Sequence, residues 1–451
     1  MLSGIPLIIA FVLAIVVMIL AISKLKIHPF LSIMGVSLIL ALLSLELGEV
    51  AGTIGAGFSG TFTSIGIVII LGALIGLVLE KTGAALKMSD CVVKIVGEKH
   101  PELAILLMGW IISIPVFCDS GFVILDPIRR AMVRRTKTSS VAMTVSLSAG
   151  LYIAHCFIPP TPGPIAAAGT LGAGDNLLAV MGLGALISIP ALIAAYFYAK
   201  FIGKKVKDSS EREENKEEIK QTYEELVASY GKLPNACLSF APIIVPIILM
   251  GLASAFSMAG VSVPVIAFLG TPVIALAVGV IFSVIVLCTS EKMAEFYEIT
   301  NETLKTVGPI LFVTAAGGVL GKVISAGSMV EYITEHSSVL SALGIFFPFL
   351  LAAILKSAQG SSTVAITTTA GIVAPLLPQL GLDTPMRAAL TVIAIGAGAM
   401  TVSHANDSYF WVVTNFGDLT VEDGYKTQTL STLVIGVVSM IAVFLVSLFI
   451  H

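Results

Sequence analysis

The chain of 451 residues is 57% hydrophobic and 12% charged, with a mean hydropathy of +1.01, which is more apolar than any ordinary soluble domain. It reads as an all-α polytopic membrane protein, and its formal net charge of -3 says nothing of partners, because such charges are divided between two aqueous faces. The absence of a basic patch with interleaved aromatics argues against a nucleic-acid partner, and five cysteines without CxxC or metal-ligand spacing indicate no disulfide framework, metal or cofactor.

In chain order, the first apolar run, 5–22, has no basic residue before it, and Lys24 follows it. It is therefore expected to be a retained span and not a cleaved signal. Runs at 29–45 and 65–79 supply two more spans of suitable composition. Residues 103–117 are apolar, then Cys118-Asp119-Ser120-Gly121 interrupts, and only 122–128 remain apolar before Arg129-Arg130. That second limb is too short to cross, so 101–130 is expected to form a re-entrant hairpin with its tip at mid-membrane. A span over 141–172 is broken by the run from His155 to Pro164, and another span covers 177–199. The charged stretch 203–237 reads as a solvated cytoplasmic linker, helix or loop.

The second half repeats this order. Spans are expected at 240–258, 264–288, 308–325 and 430–450, a hairpin at 340–378 with its tip at Lys356 to Thr363, and a broken helix at 386–416 interrupted by Ser403 to Ser408. Corresponding landmarks, Asp119 with Gln359 and His155 with His404, stand roughly 240–250 residues apart. Five crossings per half is an odd number, so the second half must enter the membrane upside down. The expectation is two inverted-topology repeats, 1–202 and 238–451, with about ten transmembrane helices and two re-entrant hairpins. With both termini outside, all but three of the 25 basic residues (Lys322, Lys356 and Arg387) fall on the cytoplasmic side, as the positive-inside rule requires.

Polar groups and unpaired backbone are costly in hydrocarbon unless they line a cavity or meet protein. Paired interruptions in two halves are therefore the best sequence pointer to a transporter's binding site. Each break exposes backbone N–H groups at a helix N-terminus, where about half a positive charge favours anions. Ser120, Gly121, Thr161, Gly163, Gln359, Gly360, Ser361, Ser362, Thr363 and Asn406 are the candidate substrate-binding residues. Asp119, the one acid at a hairpin tip, is the first candidate for a coupling proton. His155 and His404 are the second, and Asp407 beside Asn406 holds a proton or cation or caps a half-helix. Lys356 either counters an anion or pairs with an acid, the second being preferred. Asp126 reads as an interfacial cap or a partner of Arg129 and Arg130, outside the site.

At these residues the chain resembles the gluconate permease family, proton symporters of sugar acids and related hydroxy-carboxylates within the larger ion-transporter superfamily. The match lies in Phe117 to Val123, in the proline-rich run His155 to Pro164, in Ala358 to Ala365 with Thr367 to Pro375 behind it, and in Ser403 to Trp411. The resemblance covers essentially the whole chain. It implies an inner (plasma) membrane importer surrounded by lipid, a mobile domain of hairpins and broken helices moving by an elevator-like shift, a homodimer, and a gluconate-like anion carried with protons. Thr161 stands where gluconate carriers usually have His, and Cys118 and Ser120 stand where they have an aromatic residue and an apolar neighbour. Those departures point to a smaller or different acid, such as glycerate, a hexuronate or 2-keto acid relative, or D-serine. Sodium coupling through carbonyls, Asn406 and Asp407 remains the near alternative. An anion channel or an intramembrane enzyme would need a continuous polar pore or a nucleophile–base pair, and neither is evident.

Overall fold

The structure is a computed structural model and describes residues 2–88, 91, 100–207, 223–258, 261, 263–328, 332, 342–405 and 407–450. These residues fold into helices and connecting turns, without a strand among them. In the first half, α1 (Gly4–Ser23), α2 (Pro29–Ser44), α3 (Leu47–Thr61) and α4 (Ile67–Lys81) precede the pair α5 (Pro101–Ile112) and α6 (Cys118–Thr136). The interrupted pair α7 (Ser140–Phe157) and α8 (Pro162–Thr170) follows, then α9 (Leu177–Ile202). In the second half, α10 (Ala236–Met258), α11 (Pro272–Thr289) and α12 (Phe296–Ala326) precede α13 (Phe346–Gln359) and α14 (Ser362–Val373). Then come α15 (Pro385–Met400), α16 (Ser408–Phe416) and α17 (Leu430–Ser447).

The halves repeat each other's neighbours as well as their order. Helix α5 packs on α7 and α13 on α15, while α9 packs on α7 and α17 on α15. One close approach recurs in both halves. A Cβ on Gly150 would stand 2.1 Å from the Leu106 carbonyl oxygen, and one on Gly398 would stand 2.2 Å from that of Phe349. Only glycine lets the two backbones meet there, as small residues do at helix crossings in membranes.

Burial sorts the helices into an inner and an outer set. Every residue of α7 is buried, as are those of α15 from Ala388 onward. By contrast, Ile5, Ile9, Leu13 on α1, Ile244 and Ile248 on α10, and Ile281 and Ile285 on α11 are large apolar side chains left exposed. Such a surface is stable against lipid tails and costly against water. Among the described residues, seven segments are long and apolar enough to cross a membrane: Gly4–Ile22, Ser140–Thr170, Gly174–Ile202, Ala236–Ala253, Pro272–Thr289, Met293–Ala326 and Val421–Ser447. The expected span at 29–45 and the first limb of the broken helix expected at 386–416 appear as shorter helices of 16 residues, about 24 Å at 1.5 Å per residue.

Several boundaries differ from expectation for identifiable reasons. The stretch between the expected spans 29–45 and 65–79 is helical, because α3 starts directly after Glu46 and runs through a π turn at Phe62–Gly66 into α4. Five glycines between Leu47 and Thr61 dilute that helix's apolarity. The span expected at 264–288 breaks at Gly270-Thr271, since Thr271 precedes Pro272 and a residue before proline disfavours the helical region. Helix α12 begins at Phe296, well before 308, with Glu298, Glu302 and Lys305 on its first turns. Likewise α6 runs past Ile128 to Thr136, because arginine ends an apolar run without ending a helix. Within the expected linker 203–237, a short helix occupies Tyr223–Tyr230 and α10 starts at Ala236; residues 208–222 lie outside the described set. Of the cysteines, Cys118 and Cys156 are buried, while Cys237 and Cys288 are exposed.

Candidate functional site

The two helix pairs and the two interrupted helices meet at their broken ends. Helix α13 stops at Gly360, whose φ of 86° is left-handed and therefore suits glycine. Its N–H donates to the Lys356 carbonyl at 2.8 Å. Helix α14 starts at Ser362, with the hydroxyl of the preceding Ser361 accepting from the Val364 N–H at 3.3 Å. Ser362 and Thr363 are buried in its first turn. Helix α16 is capped by Asp407, whose Oδ1 accepts from the Tyr409 N–H at 3.1 Å. Such caps satisfy N–H groups that a helix start leaves unpaired.

Lys356 and Asp407 form the centre of the arrangement. The lysine side chain is fully buried, and its Nζ donates to Asp407 Oδ2 at 2.5 Å and to the Gly360 carbonyl at the turn between α13 and α14. The ammonium thus sits at the C-terminal end of α13 and the carboxylate at the N-terminal end of α16, each at the dipole end that favours its charge. Asp407 Oδ2 also accepts from Ser403 Oγ at 2.6 Å and Tyr152 Oη at 3.5 Å. The Tyr152 ring lies 5.8 Å from the Lys356 ammonium. The preference for an acid partner of Lys356 is thereby borne out.

Of the other expected residues, Asp119 lies in the first turn of α6, where Oδ1 accepts from the Ser408 hydroxyl at 3.2 Å and Oδ2 from the Cys118 thiol at 3.5 Å. The starts of α6 and α16 therefore touch. The starts of α8 and α14 also meet, since a Cβ on Gly163 would lie 3.0 Å from Ile366 Cδ1 and 3.7 Å from Thr363 Cα. Gly121 faces Leu151 of α7 in the same way. The Thr161 hydroxyl turns back to the Ile158 carbonyl at 2.7 Å. His155 is buried against Phe117, with ring centroids 6.0 Å apart, and its Nδ1 has no hydrogen-bond partner among the described residues. His404 is half-buried, with Nε2 3.1 Å from the Ser357 carbonyl oxygen. Asn406 and the side chains of Ser120 and Gln359 lie outside the described set. Tyr152, Ser403 and Tyr409 were not expected. A tyrosine three residues before His155 in an otherwise small and apolar helix is the one sequence signal that points to this cluster.

Beside this junction, Asp126 holds two arginines, as expected. Arg129 Nε and Arg130 Nε donate to its two oxygens at 2.7 and 2.6 Å, and both guanidinium groups reach the Phe416 carbonyl at the end of α16, at 3.2 and 2.6 Å. Arg129 is fully buried and also donates to Ser140 Oγ at 3.0 Å. Among the described residues, no cluster of three or more His, Cys, Asp or Glu side chains is placed to hold a metal.

An apolar helical bundle whose buried polar groups gather at broken helix ends is the construction of a membrane permease. Residues 5–449 match the family model described as GntP family permease, and the chain belongs to that family. It is 34% identical over 423 residues to an uncharacterized permease of Haemophilus influenzae, a match covering 91% of this chain and 86% of that protein. It is 30% identical over 455 residues to a gluconate permease of Bacillus subtilis, covering 98% and 99% respectively. Among solved structures it is similar to MtrF of Neisseria gonorrhoeae, described with a class of antimetabolite efflux pumps. That likeness has a TM-score of 0.69 at 16% identity and covers 96% of this chain and 97% of that one, and it bears on the fold alone. The chain is a multi-pass inner-membrane permease.

Proposed function

We propose that the protein imports a gluconate-like sugar acid or related hydroxy-carboxylate together with protons. The observation that carries this reading is a buried ammonium, Lys356, set among hydroxyl-bearing helix starts at Ser361–Thr363 and Ser408. Free N–H groups and a fixed cation suit a carboxylate, and neighbouring hydroxyls suit the rest of a polyol acid. Relatives named as gluconate permeases support the substrate class. On this reading the halves 1–202 and 238–451 enter the membrane in opposite senses, with 203–237 cytoplasmic. The α5–α6 and α13–α14 pairs are re-entrant and move with α7–α8 and α15–α16 as the mobile unit. The coupling proton resides on one of the acids or imidazoles of the junction: Asp119, Asp407, His155 or His404. Because the Thr161 hydroxyl is engaged by Ile158, a small acid such as glycerate is the second substrate to test.

The test is uptake by proteoliposomes against a panel of sugar acids, glycerate and D-serine, with pH and sodium gradients imposed separately. Accumulation of gluconate or a hydroxy acid driven by pH alone is the expected result, and accumulation driven only by sodium would refute the proton coupling. In folded protein, Ser361→Ala and Thr363→Ala should each weaken affinity about tenfold to a hundredfold, the loss expected for one charge-assisted hydrogen bond. Cysteines introduced at Asp175 and Lys204 should label from outside and inside respectively. The reverse pattern would sink the topology.

A further inference from the structure

We propose that Lys356 receives the substrate carboxylate and that Asp407, released from it, takes the cotransported proton, so that the charges of the pair and its ligand cancel both empty and loaded. This rests on the anion-import reading above and names the groups through which that site couples.

The empty site holds a complete internal ion pair. Lys356 Nζ has two oxygen partners, Asp407 Oδ2 and the Gly360 carbonyl. A carboxylate and a backbone carbonyl are the ligands a hard cation such as sodium would take, and here a tethered ammonium fills that place. A substrate carboxylate arriving at the hairpin tip meets this ammonium, which one rotation of a flexible side chain can turn from Asp407 toward the newcomer. Without compensation the site would then hold two carboxylates and one ammonium, a net charge that is expensive in a dry interior. A proton from the water on the open side, added to the vacated Oδ2 of Asp407, restores neutrality: the ammonium pairs with the substrate anion and Asp407 becomes a carboxylic acid. Its new O–H has an acceptor at hand in Ser403 Oγ, now 2.6 Å away. On release the steps reverse, the proton leaves Asp407, and the pair re-forms.

Other ionisable groups face Asp407 from each surrounding helix. Tyr152 and His155 approach from α7 and Asp119 from α6 through Ser408, while Tyr409 offers Asp407 its backbone N–H and turns its hydroxyl to the Ser148 carbonyl. The thiols of Cys118 and Cys156 and the half-buried His404 complete the set. Lys356 is the only lysine or arginine that the structure places in contact with Asp407 among the described residues. The competing description is a static strut, in which Lys356 merely caps α13 and Asp407 merely caps α16. It predicts no proton movement on binding.

The experiment uses the full-length protein with gluconate. In weakly buffered detergent solution with a pH indicator, binding should remove one proton per gluconate from solution. In proteoliposomes, initial uptake should respond to a pH gradient and not to a potassium–valinomycin potential. Asp407→Asn should lose the binding-linked proton uptake, and its net uptake should become opposed by an inside-negative potential, about tenfold in accumulation per ~60 mV. Should that variant fail to fold with its lysine unpaired, the double variant Lys356→Met/Asp407→Asn removes both charges together. It should remain monodisperse, bind gluconate at least about tenfold more weakly and take up no proton. Gluconate binding by the unaltered protein without proton uptake, potential-driven uptake, or a double variant that still takes up a proton would each overturn the pair's role and leave import standing. No gluconate binding at all would overturn the substrate reading and this inference with it.

Discussion

Helix pairs α5–α6 and α13–α14 occupy equivalent places in the two halves, yet their chemistry is opposite. The first carries an acid, Asp119, whose described partners are a hydroxyl and a thiol, and it is anchored away from its tip by Arg129 and Arg130 on Phe416. The second carries a buried cation that bonds its own tip at Gly360 and an acid on α16. The halves thus share a backbone plan, seen in the matching glycine crossings at Gly150 and Gly398, while their charges are distributed so that one pair is fastened at its base and the other at its tip. A repeated architecture does not require a repeated mechanism.

The comparison can be broken most forcefully at the base of the first pair. Arg129→Met takes from Asp126 its fully buried partner, leaving it the half-buried Arg130, and should cost about 3 kcal/mol, the low end for a broken buried pair, read as a large fall in the thermal unfolding temperature of the detergent-solubilised protein. The shared plan is probed next. Gly150→Leu and Gly398→Leu each force a side chain into a carbonyl and should each cost about 1–3 kcal/mol, and a cost confined to one half would show that the crossings are not equivalent. At the second tip, Ser361→Ala removes the α14 cap and should cost about 1 kcal/mol. The smallest effect belongs to the exposed pair Lys426–Glu422 at 2.8 Å; Glu422→Gln should change stability by less than about 0.5 kcal/mol, which calibrates the others.

Much of this was legible in the sequence, because polar interruptions in apolar runs carry their own physical warning. The turn at Lys356–Thr363, the breaks after His155 and Ser403, and the Asp126 partnership with Arg129 and Arg130 all follow from local composition and spacing, whereas Cys118–Gly121 opens α6 and the turn before it lies at 113–117. Helix α3 was hidden because glycine lowers apolarity without preventing a helix that is packed on α12. The identity of the Lys356 partner was hidden for another reason. Asp407 lies 51 residues away on a different helix, and no periodicity reports which of several acids a buried lysine will meet. Tyr152 was overlooked because an aromatic residue in a buried helix usually signals only packing.

The Phe416 carbonyl that both arginines reach lies 287 and 286 residues further along the chain. At about 5–20 residues per second of synthesis, α6 therefore waits roughly 15–60 s before that acceptor exists. Asp126, three and four residues upstream of the arginines on the same helix, needs no such delay. It pairs with both as soon as the turn forms, making the arginines tolerable in a half-built bundle. The same carboxylate that looks like a static anchor in the finished protein is thus a placeholder during biogenesis, and its loss should show first as poor insertion and low yield.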